Sequence, residues 1–322
     1  MSSLPFSIAI KRHYLYIYVY PSLILMNNRS CVLLFFFTLS VLSYAQNTTN
    51  IWYFGVNAGL DFNSGTPVAL TNGQLNSFEG SASIADNSGN LLFYSDGIDI
   101  WNRNHITMPN GTGLLGNWDA TQSGVIVQKP GSTNLYYVFA VDDEAGPDGI
   151  TYSEVDMNLA SGLGDVTATK NVLLTTPSTE KLTAVRHCNK KDIWIITHDW
   201  NSNTFRTFLF TSTGINPVPV LSSVGAVHTG PGWNTNGYLK ASPDGSRLAL
   251  AACHGMNIFE LFDFNNSTGV VSNVVPLASV ASTYGAYGVE FSPDGTKLYG
   301  TTILPGRLLQ FDLCAGSAAA IN

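Results

Sequence analysis

Past residue 80 the chain alternates between short apolar runs and clusters of Gly, Asn, Asp, Ser and Pro. Leu91-Leu92-Phe93-Tyr94, the run Leu135 to Val141, Ile193-Trp194-Ile195-Ile196 and the run Ile258 to Phe264 are too short for helices and rich in aromatic and β-branched residues. That pattern predicts strands. Between them Asp86-Asn87-Ser88-Gly89-Asn90, Lys129-Pro130-Gly131-Ser132 and Asn189-Lys190-Lys191 supply the turn conformations that short hairpin loops need. Five units with one layout follow: an inner strand, a turn, a second strand, a turn and a third strand. They begin at Ser81, Gly124, Leu182, Tyr238 and Tyr287. The connection from Asn265 to Leu277 reads as a polar insertion between the fourth and fifth units.

The phrase Ser-Pro-Asp-Gly closes the first turn of the last two units, at Ser242–Gly245 and Ser292–Gly295, one 50-residue period apart. A hairpin recurring at that spacing signals a stacked or radial β repeat. The expected fold is all-β, a β-propeller with five recognisable blade units, read as an incomplete seven-bladed ring; the alternative is a closed five-bladed ring. Asn50 to Phe62 reads as two outer strands without an inner partner, which in a closed ring complete the last blade.

The N-terminal region follows other rules. Cys31 to Leu42 is an apolar run preceded by Arg29 and followed by Ser43-Tyr44-Ala45 and Gln46. This is the order of a signal peptide spanning 26–45, cut after Ala45; the run is short of the roughly 20 residues that span a bilayer. Residues 1–25 hold a second apolar run, Tyr14 to Tyr20, which such a leader does not need, so Met26 is read as the initiator and 1–25 as an over-extended start. Residues 46–322 are read as one propeller domain, cut short at its C-terminal end.

Net charge is −7, and the first 45 residues hold Lys11, Arg12 and Arg29 with no acid, so the remainder carries −10. That excludes a broad nucleic-acid or anionic-lipid surface. Cys188, Cys253 and Cys314 lack CxxC spacing and are read as buried small apolar residues rather than metal ligands.

The stretch Asn50-Ile51-Trp52-Tyr53-Phe54-Gly55, then Phe93-Tyr94-Ser95-Asp96-Gly97, Ile100-Trp101-Asn102-Arg103-Asn104-His105, Met108-Pro109-Asn110-Gly111, Trp194-Ile195-Ile196-Thr197-His198 and both Ser-Pro-Asp-Gly turns resemble a known group. They are similar to the N-terminal propeller, with WD40/YVTN-like repeats, of large secreted Bacteroidetes proteins exported by the type IX system, of the gliding-motility and PKD-domain kind. The resemblance covers nearly all of residues 50–322. It implies a seven-bladed design and a secreted or surface role, and it implies no catalytic residue. The family's later PKD modules and C-terminal sorting domain are not in this sequence.

Two groups of side chains suit ligand chemistry. His187, His198, His228 and His254 fall near strand ends, where imidazoles around a propeller channel bind metals or act as bases; Glu79 and Glu290 open or precede inner strands. None of the histidines has HxH or HExxH spacing, and solvated or satisfied histidines are the commoner explanation. Asp142, Asp143 and Asp148 lie in an acidic, glycine-containing loop with the oxygen ligands calcium takes, without EF-hand spacing. There is no Gly-x-Ser-x-Gly elbow. Trp101, Trp118, Trp194, Trp200 and Trp233 could stack on sugars, though burial between blades is the commoner fate.

The expectation is a secreted, surface-displayed or periplasmic binding or adhesion propeller, with no cofactor other than calcium as a candidate. Its partner is a surface protein or polysaccharide, with no nucleic acid and no membrane insertion after signal cleavage. The rivals are a metal-dependent, lactonase-like hydrolase and a fragment of a larger surface protein without function of its own.

Overall fold

The computed structural model describes residues 8–11, 14–17, 47–277 and 284–321. The chain forms two units, residues 1–44 and 45–322. In the first, β1 (Ile8–Lys11) and β2 (Tyr14–Ile17) pair as an antiparallel hairpin with Ile8 opposite Ile17. The apolar run 31–42 and the cleavage position lie outside the described residues. No helix among those described is long and apolar enough to cross a membrane.

The second unit is built of six antiparallel sheets in chain order. The first holds β3 (Ile51–Phe54), β4 (Ala58–Asp61) and β5 (Val68–Leu70). The second holds β6 (Ala82–Ala85), β7 (Leu91–Ser95) and β8 (Ile100–Asn102). The third holds β9 (Val125–Gln128), β10 (Leu135–Val141) and β11 (Ile150–Asp156), with β12 (Asp165–Val166) and β13 (Val172–Thr175) both on the edge of β11. The fourth holds β14 (Ser178–Arg186), β15 (Ile193–Asp199) and β16 (Ser202–Thr211), with β17 (Gly214–Ile215) and β18 (Val220–His228) on the edge of β16. The fifth runs β19 (Leu239–Ala241), β20 (Arg247–Ala252), β21 (Ile258–Asn265) and β22 (Val270–Leu277). The sixth runs β23 (Tyr284–Phe291), β24 (Lys297–Leu304) and β25 (Arg307–Asp312).

The five units expected from the pattern are the second to sixth sheets. Two readings change. Residues 51–70 form a sheet of their own and do not complete the last one, because β5 supplies a third strand through Gly59 opposite Leu70. Asn265 to Leu277 is a turn followed by an outer strand rather than an insertion. Val270, Val271, Val274 and Val275 favour extended backbone, and Pro276 is tolerated because β22 is an edge strand.

Packing makes these sheets blades. Alternate residues of one strand feed two different cores. On β10, Tyr136, Val138 and Ala140 pack against Phe93 and Ile100 of the preceding sheet, while Tyr137, Phe139 and Val141 pack against Leu182, Ile195 and Phe208 of the next. On β20, Leu248 and Leu250 join Val185, Trp194 and Phe205, while Ala249 and Ala251 join Val289, Phe291 and Leu298. Ile51 and Tyr53 pack against Tyr94 and Trp101 at the remaining interface. Each inner sheet therefore buries both faces, which is why its central strand reads as unbroken apolar sequence instead of alternating. This face-to-face succession of antiparallel meanders is a β-propeller.

Both Ser-Pro-Asp-Gly turns close alike. Asp244 Oδ1 accepts from Ser242 Oγ at 2.6 Å and from Ser246 N at 3.1 Å, and Asp294 Oδ1 accepts from Ser292 Oγ at 2.6 Å and Thr296 N at 3.0 Å. Gly245 and Gly295 both sit at φ 68°, where a side chain would be strained. These bonds hold the Asp294 carboxyl down to about 2.

Candidate functional site at the propeller axis

Inner strands of five blades meet at the end where they begin. Gly80 N donates to Ala120 O at 3.1 Å, joining the second and third blades. A Cβ at Gly80 would lie 2.4 Å from Ser123 N, so only glycine admits this approach. Gln122 spans three blades: its Oε1 accepts from Leu182 N at 3.2 Å and from Leu239 N at 2.7 Å. Tyr238 N donates to Tyr287 O at 2.9 Å, joining the fifth and sixth. Tyr238 stands just ahead of β19 and Tyr287 lies within β23, and their rings meet edge-on at 5.6 Å. The axis is thereby filled by side chains.

Glu180 and Lys181 lie at its centre, both fully buried. Glu180 Oε2 accepts from Thr121 N and from Thr121 Oγ1, each at 2.8 Å; Oε1 accepts from Glu144 N at 3.1 Å and lies 2.8 Å from the Thr235 hydroxyl. Lys181 Nζ donates to Thr235 O at 2.8 Å and to Asn236 O at 3.1 Å. Burial pushes the Glu180 carboxyl up against the opposing pull of its donors. Burial brings the Lys181 ammonium down to about 7, opposed by the neighbouring Glu180 charge. Every partner of Glu180 is a donor and both partners of Lys181 are acceptors, so the pair ties three blades together.

His198 and His228 stack beside this pair with ring centroids 4.0 Å apart. His198 Nδ1 meets Asp199 O at 2.9 Å, whereas both ring nitrogens of His228 are buried without a hydrogen-bond partner. Burial takes His198 down to about 3 and His228 well below its ordinary value, with the Lys181 charge adding to both shifts. Both rings are neutral at pH 7.

Glu79 differs from its neighbours. Its Oε2 is buried without a hydrogen-bond partner, while the Tyr287 and Thr121 hydroxyls stand beside the carboxyl. Burial raises it to about 7, with the Glu180 and Asp119 charges adding to the shift. A carboxyl that exchanges its proton near neutrality can serve as a general acid or base.

The other residues singled out in the sequence scatter. His187 lies at the opposite end of the blades, in the turn after β14, against Trp194 with ring centroids 5.3 Å apart. His254 is in the turn after β20, with its ring 6.3 Å from that of Trp233. Glu290 is exposed and pairs with Lys240 Nζ at 3.1 Å. Asp142 is used by its own loop: it accepts from Asp143 N at 3.0 Å and Asp148 N at 3.1 Å. Among the described residues no group of three His, Cys, Asp or Glu is arranged to hold a metal ion. Cys253 is buried, but Cys188 and Cys314 are exposed, contrary to the expected burial of all three. Both sit in turns that follow strands, outside the apolar interfaces.

Around the axis end stand aromatic side chains. Phe78 is 77% exposed, Trp118 49% and Trp233 50%, while Trp101 and Trp194 are buried between blades. Phe78 and Trp118 meet edge-on at 5.4 Å. The loop 142–149 reaches the segment 228–237 where Glu144 crowds Gly232: a Cβ there would lie 2.7 Å from Glu144 Cβ.

The fold and this end of it define a β-propeller with a polar plug at the axis. No protein-family model matches the chain, and no curated protein is similar to it in sequence. Among solved structures, it is similar to a functionally unknown protein from Desulfotomaculum acetoxidans at 14% identity, over 83% of this chain and 80% of that one, with a TM-score of 0.48. It is similar to the β-propeller domain of Cps50 (Swd1) from Myceliophteria thermophila at 12% identity, over 84% and 85%, with a TM-score of 0.47. A protein from Lactobacillus plantarum is similar at 16% identity, over 82% and 77%, with a TM-score of 0.41. Likeness of this order carries no function to this chain.

Proposed function

We infer that this chain is a non-enzymatic binding propeller of an exported Bacteroidetes-type surface protein, and that its ligand is a saccharide held on the aromatic end of the axis. The observation that carries this reading is the exposure of Phe78, Trp118 and Trp233 at one end of the blades. Exposed indole and phenyl faces stack on sugar rings, and here three of them stand at one end, whereas Trp101 and Trp194 are buried between blades. The polar groups beneath support it: the four bonds to the Glu180 carboxyl and the two from Lys181 Nζ run to other segments and hold blades together. Export rests on the leader at 26–45; an exported product that begins at Gln46 supports it, and a protein retained in the cell with the leader uncut refutes it. Titrating the protein with neutral oligosaccharides while following tryptophan emission tests the binding. Quenching that disappears in Trp118→Ala and Trp233→Ala supports the assignment; no response to any saccharide rejects it.

One observation favours a second reading, a hydrolase. Glu79 carries a proton near neutrality in a half-buried position at the axis. Hydrolysis of a lactone or ester that is lost in Glu79→Gln, with folding intact, would establish it.

A further inference from the structure

The opposite end of the blades is chemically distinct. Beyond residue 45 the chain has 12 Lys and Arg against 22 Asp and Glu, yet cations gather here. A depression of about 410 Å³ at the far mouth of the axis is floored by Ile84, Ile126 and Ala184 and rimmed by Lys129, Arg186, Lys190 and Lys191. It shares Ala184, Arg186 and Lys190 with a groove of about 540 Å³ that runs past Lys240 to Ser242-Pro243-Asp244. That groove shares Ser242, Pro243 and Asp244 with a third, of about 520 Å³, which reaches Arg247 and Pro293. The three make one continuous track across the second to sixth blades.

The charges along it are not cancelled. Lys129 pairs with Glu154 and Lys240 with Glu290, but Arg186, Lys190 and Lys191 enter none of the ion pairs among the described residues, and all three are exposed. The acids nearby are tied into their own turns but keep their charge, and since Asp244 and Asp294 line the far part of the track, its positive stretch is the part around Lys129, Arg186, Lys190 and Lys191. Asp244 and Asp294 bond into their own turns, Asp86 accepts from Ser88 N and Asn90 N, and Asp192 accepts from Asn189 Nδ2 at 2.7 Å. The same Asn189 accepts from Lys191 N at 2.9 Å, and Lys190 N donates to His187 O at 2.8 Å, so the two lysines project from a fixed turn.

We propose that this track binds an acidic polysaccharide, a chain bearing uronate carboxylates or sulfate esters, with Arg186, Lys190 and Lys191 as its principal contacts. The two joined depressions that carry these cations suit an extended chain better than a single small anion. A nucleic acid is disfavoured, because it needs a broad positive field and exposed aromatic platforms. The protein is acidic overall, and the one aromatic lining the track, Tyr136, is buried. Guanidinium and ammonium groups supply what carboxylate and sulfate oxygens accept.

The test is calorimetric titration of the protein with polygalacturonate and dextran sulfate, alongside neutral dextran of matched length, inorganic sulfate and a single-stranded DNA oligomer. Binding of either anionic polymer, weakened at least tenfold in Arg186→Ala/Lys190→Ala/Lys191→Ala and retained in Lys190→Arg/Lys191→Arg, is the expected result. All three positions are exposed, so the triple variant should keep its fold, and an unchanged circular dichroism spectrum checks that. Saccharide binding at the aromatic end should survive in the triple variant, which separates the two surfaces. The proposal is overturned if neither anionic polymer binds or if the triple variant binds as well as the parent. It is also overturned if neutral dextran, inorganic sulfate or DNA binds as tightly as the anionic polysaccharides.

Discussion

Thr121 bonds twice to one oxygen of Glu180: its backbone N–H and its hydroxyl each reach Oε2 at 2.8 Å, from the start of one blade to the start of the next. With the contacts to Glu144 N and the Thr235 hydroxyl, this carboxyl organises four segments that lie far apart in the chain. Removing it strands those donors in a dry environment. Glu180→Ala should therefore cost about 3–5 kcal/mol in urea unfolding. Glu180→Gln, which keeps the shape and one acceptor, should cost less. Equal stability of Glu180→Ala and the parent would show that the axis network is dispensable.

Acid should act on the histidine stack. Both rings have values held far below the ordinary 6.5 by burial. A depressed value stabilises the fold above 6.5 and loses that contribution as pH falls toward the folded value, which is about 3 for His198. Each ring should steepen the loss below pH 6.5 by on the order of 1 kcal/mol per pH unit. His198→Phe should flatten the pH dependence of the urea midpoint between 6.5 and 4. A profile identical to the parent's would contradict the burial of this ring.

Glu79 works in the opposite sense. Its value rises from 4.5 to about 7. A raised acid favours the fold fully below 4.5, and that advantage is lost as pH climbs through 7. Glu79→Gln, which stays neutral, should gain stability relative to the parent as pH rises from 4.5 to 7 and hold that gain above it. A stability difference between parent and variant that is constant from pH 4 to 9 would show that the carboxyl titrates normally.

Blade contacts should be sensitive to volume. Phe139 and Phe259 are fully buried in separate interfaces. Phe→Ala at either position should cost about 3–5 kcal/mol. The double variant should show near-additive losses, because the two sites lie in different clusters without a shared neighbour.

Gly80 tolerates no side chain. A Cβ would meet Ser123 N at 2.4 Å and Ala120 O at 2.6 Å, both backbone atoms. Gly80→Ala should force the second and third blades apart at the axis and lower the melting temperature by several degrees. Gly113→Ala meets no such obstacle, only a strained φ of 68°, and should be milder.

Some of this was readable in the residue order. Asp244 and Asp294 are repeated in the same phrase, and a local turn forms from local residues, so their identical bonding follows. Leu135 to Val141 announced a strand buried on both faces. His198 and His228 were visible as candidates, but nothing near either one ranked them above His187 or His254, because their stacking joins strands 30 residues apart. Glu180 and Lys181 were not singled out. Adjacent opposite charges normally mark solvent, and the only clue was their position directly before the apolar run of an inner strand. Their partners are 36 to 59 positions away in sequence.

What the order of residues settled alone was local: strand length, turn chemistry and the repeat. These depend on backbone preference and on neighbours within a few positions. The tertiary structure decided which strand ends share an axis, and with that the fate of every ionisable group. A carboxyl or imidazole takes its protonation from the water it loses and the donors it meets. For Glu79, Glu180 and Lys181 the partners come from other blades, and the histidine pair meets across one blade, between β15 and β18.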